Sequence, residues 1–252
     1  MPRLFAIADL HLSFARPKPM DVFGEAWDHH PEHIAAAWRE RVGAEDVVLV
    51  AGDISWAMRL DGALADLRWI DELPGRKVLI RGNHDYWWES LGKLRALPLP
   101  SLHFLQYDVV RFGDLAIGGT RLWDLPEVLW PQERSPMPDD VRRGHRPTAD
   151  QDRKLVDREL NRLEMSLRRL PDDVVHRVAM LHYPPVSGDG RGSRASAAMT
   201  QHRIDLCVYG HLHSLGRMPR AGADCVLDGT RYVLVAGDHL GFQPRELLRF
   251  EG

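Results

Sequence analysis

The sequence predicts an α/β protein in which a parallel, helix-covered layer is followed by a second sheet that begins in hairpins. Short runs of Val, Ile, Leu and Ala recur at 4–8, 46–51, 77–81, 177–181, 206–209 and 232–236. Runs of that length, bounded by glycine or polar residues, read as buried strands. Between the first three lie apolar stripes at helical spacing, giving the β-α-β-α-β order of a parallel layer. After residue 102 the pattern changes to paired runs joined by two-residue turns.

The 252 residues, 44% hydrophobic and 27% charged, suffice for a substantial core, and 1–252 reads as one domain. A formal charge of −3 and a pI near 6.5 exclude a general electrostatic attraction to nucleic acid or anionic membrane. Cys207 and Cys225 sit in apolar runs without C-x-x-C spacing and read as buried, reduced thiols. The amino terminus reaches Asp9 after a few apolar residues, which fits neither a signal peptide nor a span, so a cytoplasmic location is expected.

In order, Leu4 to Ala8 is the first strand, ending in Asp9-Leu10-His11. In extended chain, residues two apart point the same way, so Asp9 and His11 can reach one ion. Residues 14 to 33 are loop-like, and their His29, His30 and His33 read as surface or flap groups. Ile34, Ala37, Trp38 and Val42 then mark the first helix. The strand 46–51 ends at Gly52-Asp53, and Leu60, Leu64, Leu67, Ile70 and Leu73 form the second helical stripe, stopped by Pro74-Gly75. The strand 77–81 ends in Gly82-Asn83-His84-Asp85. Of Tyr86, Trp87 and Trp88, at least two are expected to pack the following short helix on the sheet.

Val109–Phe112, the turn Gly113-Asp114 and Leu115–Gly118 form a hairpin that starts the second sheet. Residues 124 to 150 are rich in proline, carry Arg142-Arg143-Gly144-His145-Arg146, and read as an irregular, solvated insertion. Leu155 or Val156, Leu160, Leu163, Leu167 and Leu170 define a long amphipathic helix. The strand 177–181 ends in His182, and the Gly-rich stretch 187–194 brings Arg191 and Arg194, either phosphate clamps or residues of a mobile surface loop. The strand 206–209 ends in Gly210-His211-Leu212-His213. A final hairpin around Asp228-Gly229 leads to Gly237-Asp238-His239, a second contact to the site or its substrate, and 247–250 adds an edge strand.

Five strands therefore close on oxygen or imidazole ligands: Asp9 with His11, Asp53, Asn83 with His84, His182, and His211 with His213. Each buried polar group needs a partner, and convergence on metal satisfies all of them at once.

The series D-L-H, G-D, G-N-H-D, H, G-H-L-H, in that order over most of the chain, resembles the calcineurin-like metallophosphoesterase superfamily. The resemblance implies a four-layer α/β/β/α sandwich of two mixed sheets flanked by helices. It implies two divalent ions: Asp9, His11 and His213 holding one, Asn83, His182 and His211 the other, and Asp53 bridging. An oxygen and imidazole donor set without thiolate suits Mn2+ first, then Fe2+ or Zn2+. Two ions roughly 4 Å apart lower the pKa of a bridging water and fix a phosphate for in-line attack. His84 then protonates the leaving alkoxide, with Asp85 either orienting it or holding the turn.

The expected substrate is a small mono- or diester, such as a nucleotide or cyclic nucleotide. Two other readings stand beside it. The basic segment 142–146 with Arg191 and Arg194 would serve a nuclease with a steep salt dependence. A metal-bound interaction module with little catalysis is the reading from another class, and the intact ligand set with His84 weighs against it.

Overall fold

The computed structural model describes residues 1–130, 149–213, 215 and 221–252. Most of the insertion expected at 124–150, with its basic cluster 142–146, lies outside the described residues. The first sheet contains β1 (Arg3–Ile7), β2 (Val47–Val50), β3 (Arg76–Leu79), β4 (Leu102–Phe104) and β11 (Arg245–Arg249), in the order β11-β1-β2-β3-β4. The first four are parallel and β11 is antiparallel on the edge. The second sheet contains β5 (Val109–Phe112), β6 (Leu115–Thr120), β7 (His176–Leu181), β8 (Leu206–Tyr209), β9 (Asp224–Leu227) and β10 (Thr230–Leu234), in the order β5-β6-β7-β8-β10-β9. Its centre is parallel and both edges are antiparallel hairpins.

Side-chain alternation explains the layers. Along β1, Phe5 and Ile7 face α1 (His30–Arg41), α2 (Leu60–Asp71) and α3 (Leu91–Arg95), where they meet Ile34, Trp38, Leu67, Ile70 and Leu94. Leu4, Ala6 and Ala8 face the other sheet and pack with Leu115, Ile117, Val178, Met180 and Val208. The far face of the second sheet is covered by α4 (Ala149–Leu167) and α5 (Arg194–Gln201) through Val156, Leu163, Leu167, Ala195 and Met199. Three apolar seams between four layers make an α/β/β/α sandwich. Strands buried on both faces cannot alternate with polar residues, which is why they read as continuous apolar runs.

Several local expectations need correction. β3 begins at Arg76 and ends at Leu79; Ile80, whose amide donates to the Val50 carbonyl at 3.2 Å, and Arg81 lead from it into the site. Leu102 does not open the second sheet: β4 pairs with β3, and the second sheet starts at Val109. In α1 the buried small residue is Ala35 rather than Ala37, and in α2 it is Ala63 in place of Leu64, because Ala35 stands three residues from Trp38 and Ala63 seven from Ile70, on the buried face of each helix. His30 is not a surface group. Its ring is buried between the carbonyls of Trp27 and Leu10, at 3.1 and 3.0 Å. Cys207 is buried but Cys225, on the edge hairpin, only partly so, and both are free.

Of the Gly-rich stretch 187–194 only Ser187 and Gly188 are buried; 189–194 lie at the surface, and Ser193 caps α5 by accepting from the amides of Ala195 and Ser196. Trp87 and Trp88 pack in the core as expected, and Tyr86 is exposed. Among the described residues no helix is long and apolar enough to cross a membrane.

Candidate metal centre

The carboxyl ends of β1, β2, β3, β7 and β8 lie at one end of the sandwich, where the two sheets are joined by a parallel bridge between Ala8 and Ala236. The Ala8 amide donates to the Val235 carbonyl at 2.7 Å and the Gly237 amide donates to the Ala8 carbonyl at 2.9 Å. That seam brings ligands from both sheets into one cluster.

The chain turns sharply as it leaves the strands. Asp9, His11, Asp53 and His211 have φ of 58°, 45°, 51° and 73°, in the left-handed region that L side chains avoid. Such a conformation persists only where neighbours over-determine it, and it concentrates at functional sites. Here the Asp9 amide donates to the Gly52 carbonyl at 2.9 Å and the His11 amide to the Asp53 carbonyl at 3.0 Å. Two glycines leave room for the carboxylates: a Cβ on Gly82 would stand 2.1 Å from Asp53 Oδ1, and one on Gly210 2.6 Å from Asp9 Oδ2.

Within the cluster, Asp9, His11 and His213 each offer a ligand atom, all within 4.8 Å of one another, and so do Asp9, Asp53 and His182. Asp9 is common to the two groups. Asp53 spans them differently, with Oδ2 3.8 Å from His11 Nε2 and Oδ1 3.5 Å from His182 Nε2. Asn83 Oδ1 lies 2.7 Å from His182 Nε2 and 2.9 Å from His211 Nδ1. All seven side chains singled out as ligands are therefore in one place.

The donor set fits cations. His11 and His213 present Nε2 atoms to each other at 3.3 Å, an approach that two imidazole lone pairs favour only around a proton or a metal ion. Burial pushes the Asp9 carboxyl well above its ordinary range, and it also raises Asp53. Burial lowers His11 and His211 well below 6.5 and takes His182 down to about 3. Desolvated carboxylates beside neutral imidazoles are the charge pattern a divalent cation relieves. His213 is the exception: burial opposes its protonation, but Asp9 and Asp238 together lift it to about 9.

Hydrogen bonds behind the ligands orient them. His213 Nδ1 lies 3.1 Å from Asp238 Oδ1, and His182 Nδ1 2.9 Å from the Ala51 carbonyl. Asp238 thus supports a ligand, and its signal was the one shared by the others, a glycine and a carboxylate closing a strand. His84 stands at the mouth, Nε2 4.0 Å from Asp53 Oδ2, its ring 4.6 Å from that of Trp56. Asp85 does not touch it. The Asp85 carboxylate instead accepts from the amides of Ile54, Ser55 and Gly82 and from Trp87 Nε1, which makes it the anchor of the turn. Sequence reading passed over Trp56 and Tyr183, whose rings lie 4.8 Å from His11 and 4.2 Å from His211. Nothing local marks an aromatic as facing a site. Arg191 pairs with Asp189 and Arg194 with Glu127, so neither is a free clamp.

Two sheets in an α/β/β/α sandwich, with carboxylate, amide and imidazole groups pooled at the strand ends, define the metallophosphoesterase fold. The chain belongs to the calcineurin-like phosphoesterase family, whose sequence profile matches residues 2–215. Among curated relatives it is 36% identical over 85 residues to the Gene 66 protein of Mycobacterium phage L5, and 41% identical over 85 residues to that of phage D29. Each match spans 34% of this chain and 41% of the relative's length, well under two thirds. Among solved structures, the phosphopantetheinyl hydrolase of Mycobacterium tuberculosis superposes with a TM-score of 0.53 at 17% identity, over 98% of this chain and 96% of the other. A protein of unknown function from Aquifex aeolicus gives 0.51 at 16%, with the same coverage. At such identity the likeness speaks for the fold.

Proposed function

We propose that the protein is a dinuclear metal-dependent phosphoesterase acting on small phosphoesters, nucleotides or cyclic nucleotides among them. The observation that carries this reading is the convergence of the seven ligand side chains at the strand ends, with Asp53 reaching His11 through one oxygen and His182 through the other. Asp9, His11 and His213 would hold one ion, Asn83, His182 and His211 the other, and Asp53, with its two oxygens turned to different histidines, would bridge. The oxygen and imidazole donors favour Mn2+, with Fe2+ and Zn2+ as alternatives. When bound, the metals polarise the phosphoryl group and activate water for in-line displacement.

The chain's own residues do the rest. Asp238 fixes the tautomer and orientation of His213 by its bond to Nδ1. The Asp53 carboxylate accepts from the His84 amide at 2.8 Å, so the bridging group and the proton donor keep one spacing. His84, partly exposed at the mouth, is placed to give its proton to the leaving oxygen. The free thiols of Cys207 and Cys225 support a reducing, cytoplasmic setting. The carboxylate partners of Arg191 and Arg194 count against a nuclease.

Turnover of bis-nitrophenyl phosphate by chelator-stripped protein reconstituted with Mn2+ tests the reading. Activity restored by metal, and abolished in Asp53→Ala and Asn83→Ala, supports it. Full activity in both variants rejects it, and metal binding without turnover would leave an interaction module instead.

A further inference from the structure

Beside the metal cluster is a cleft of about 200 Å³ whose walls carry four guanidinium groups, Arg81, Arg121, Arg158 and Arg162, with Thr120 and Glu159. At roughly 30 Å³ per water molecule it holds the volume of about six or seven waters, room for a phosphate group. The one carboxylate in it is already engaged. Glu159 Oε1 accepts from Arg162 Nη1 at 2.6 Å and from Arg158 Nε at 3.3 Å, and Oε2 accepts from Thr120 Oγ1 at 3.0 Å.

Arg81 and Arg121 have no carboxylate at ion-pair distance among the described residues. Arg81 Nε is buried without any acceptor, and the Arg121 guanidinium lies 4.7 Å from the Trp123 ring, largely withdrawn from water. Four guanidinium groups around the single carboxylate of Glu159 leave the cleft with a surplus of positive charge, which a bound anion relieves. The cleft adjoins the metal ligands at two points of the backbone: Arg81 precedes Asn83 by two residues, and the Arg121 carbonyl accepts from the His182 amide at 3.2 Å. Arg121 also acts electrostatically on both Asp53 and His182.

We infer that Arg81, Arg121 and Arg158 form an anion subsite next to the metal centre that binds a second phosphate group of the substrate. The preferred substrates are then phosphoesters bearing another phosphate, and guanidinium forks are the side chains that grip one bidentately. This rests on the phosphoesterase reading of the neighbouring cluster, so the test has an arm that needs no turnover.

In that arm, chelator-stripped protein is titrated with pyrophosphate by calorimetry. One saturable site is expected, weakened at least about tenfold in Arg121→Gln and Arg81→Gln and partly restored by Arg121→Lys, with thermal unfolding recorded to confirm folding. Should those variants fail to fold, Arg158→Gln at the half-exposed rim is expected to weaken binding several-fold. No saturable binding, or affinities unchanged in the folded variants, overturns the inference.

In the second arm, the Mn2+ protein is given the p-nitrophenyl ester of thymidine 5′-phosphate with and without a 3′-phosphate. The extra phosphate should raise kcat/KM about tenfold or more in wild type and less than about twofold in Arg121→Gln. A preference unaffected by the substitution would make the anion a separate ligand and overturn the substrate assignment. Failure of both esters to react would fall on the phosphoesterase reading, while calorimetry still decides the subsite.

Discussion

Removing the Asp85 carboxylate should destabilise the protein, because it ties residues 54 and 55 to the turn that carries Asn83 and His84. Asp85 is fully buried, and its oxygens accept from the Ile54 amide at 2.9 Å, the Ser55 amide at 3.1 Å, Trp87 Nε1 at 2.9 Å and the Gly82 amide at 2.7 Å. Burial and the nearby Asp53 outweigh the amide donors of Gly82, Ser55 and Ile54 and push its pKa up to about 7. Asp85→Ala leaves four buried N–H groups without an acceptor. At about 1–3 kcal/mol each the upper range is roughly 4–12 kcal/mol, and water entering the space left by the carboxylate brings the expected loss to about 3–5 kcal/mol.

Asp85→Asn keeps the three bonds to one oxygen but turns an amide donor toward the Gly82 amide, costing about 1–3 kcal/mol. Urea unfolding of the metal-free protein measures both. A loss under about 1 kcal/mol for Asp85→Ala, or equal losses for the two variants, would refute the anchor role.

Gly82→Ala should abolish metal-dependent hydrolysis, because its Cβ would fall 2.1 Å from Asp53 Oδ1, and bound metal measured by mass spectrometry should fall with it. His84→Ala should slow alkyl phosphoesters far more than nitrophenyl esters, which need little help in leaving; equal losses would remove its acid role. Arg191→Ala should change kcat/KM for small phosphoesters by less than about twofold, since Asp189 already holds that guanidinium.

In the metal-free protein the histidines give opposite slopes of stability on either side of pH 6.5, while the raised carboxyls of Asp9, Asp53 and Asp85 withdraw stability as pH rises above 3.8. His11, His182 and His211 have lowered pKa values when folded, so the unfolded chain takes up more protons as pH falls below 6.5 and stability drops. His213, raised to about 9, contributes stability that is lost between 6.5 and 9. Thermal melts between pH 6.5 and 9 should show the His213 limb, and His213→Gln should flatten it.

The sequence by itself determined most of the strands, helices α1 to α4 and the positions of the candidate ligands, but not α5 or the place of β4 in the first sheet. All are local signals: a strand buried on both faces must be continuously apolar, and a polar group at its end has nowhere to go but a shared site. β3 shows the limit of this, since Ile80 is as apolar as the strand residues before it and yet lies past the strand's end at Leu79. His30 shows another, because only the packed carbonyls of Trp27 and Leu10 could make an interior place for that ring.

What the tertiary structure alone decided are relations between distant segments. The bridge from Ala8 to Ala236 sets Asp238 behind His213, and the fold of 53–55 against 82–87 turns Asp85 from a partner of His84 into the anchor of its loop. Arg81 just past β3, Arg121 just past β6 and Arg158 on α4 meet around one cleft. Their pattern is invisible along the chain because electrostatics acts through space, and the sequence orders only neighbours along the backbone.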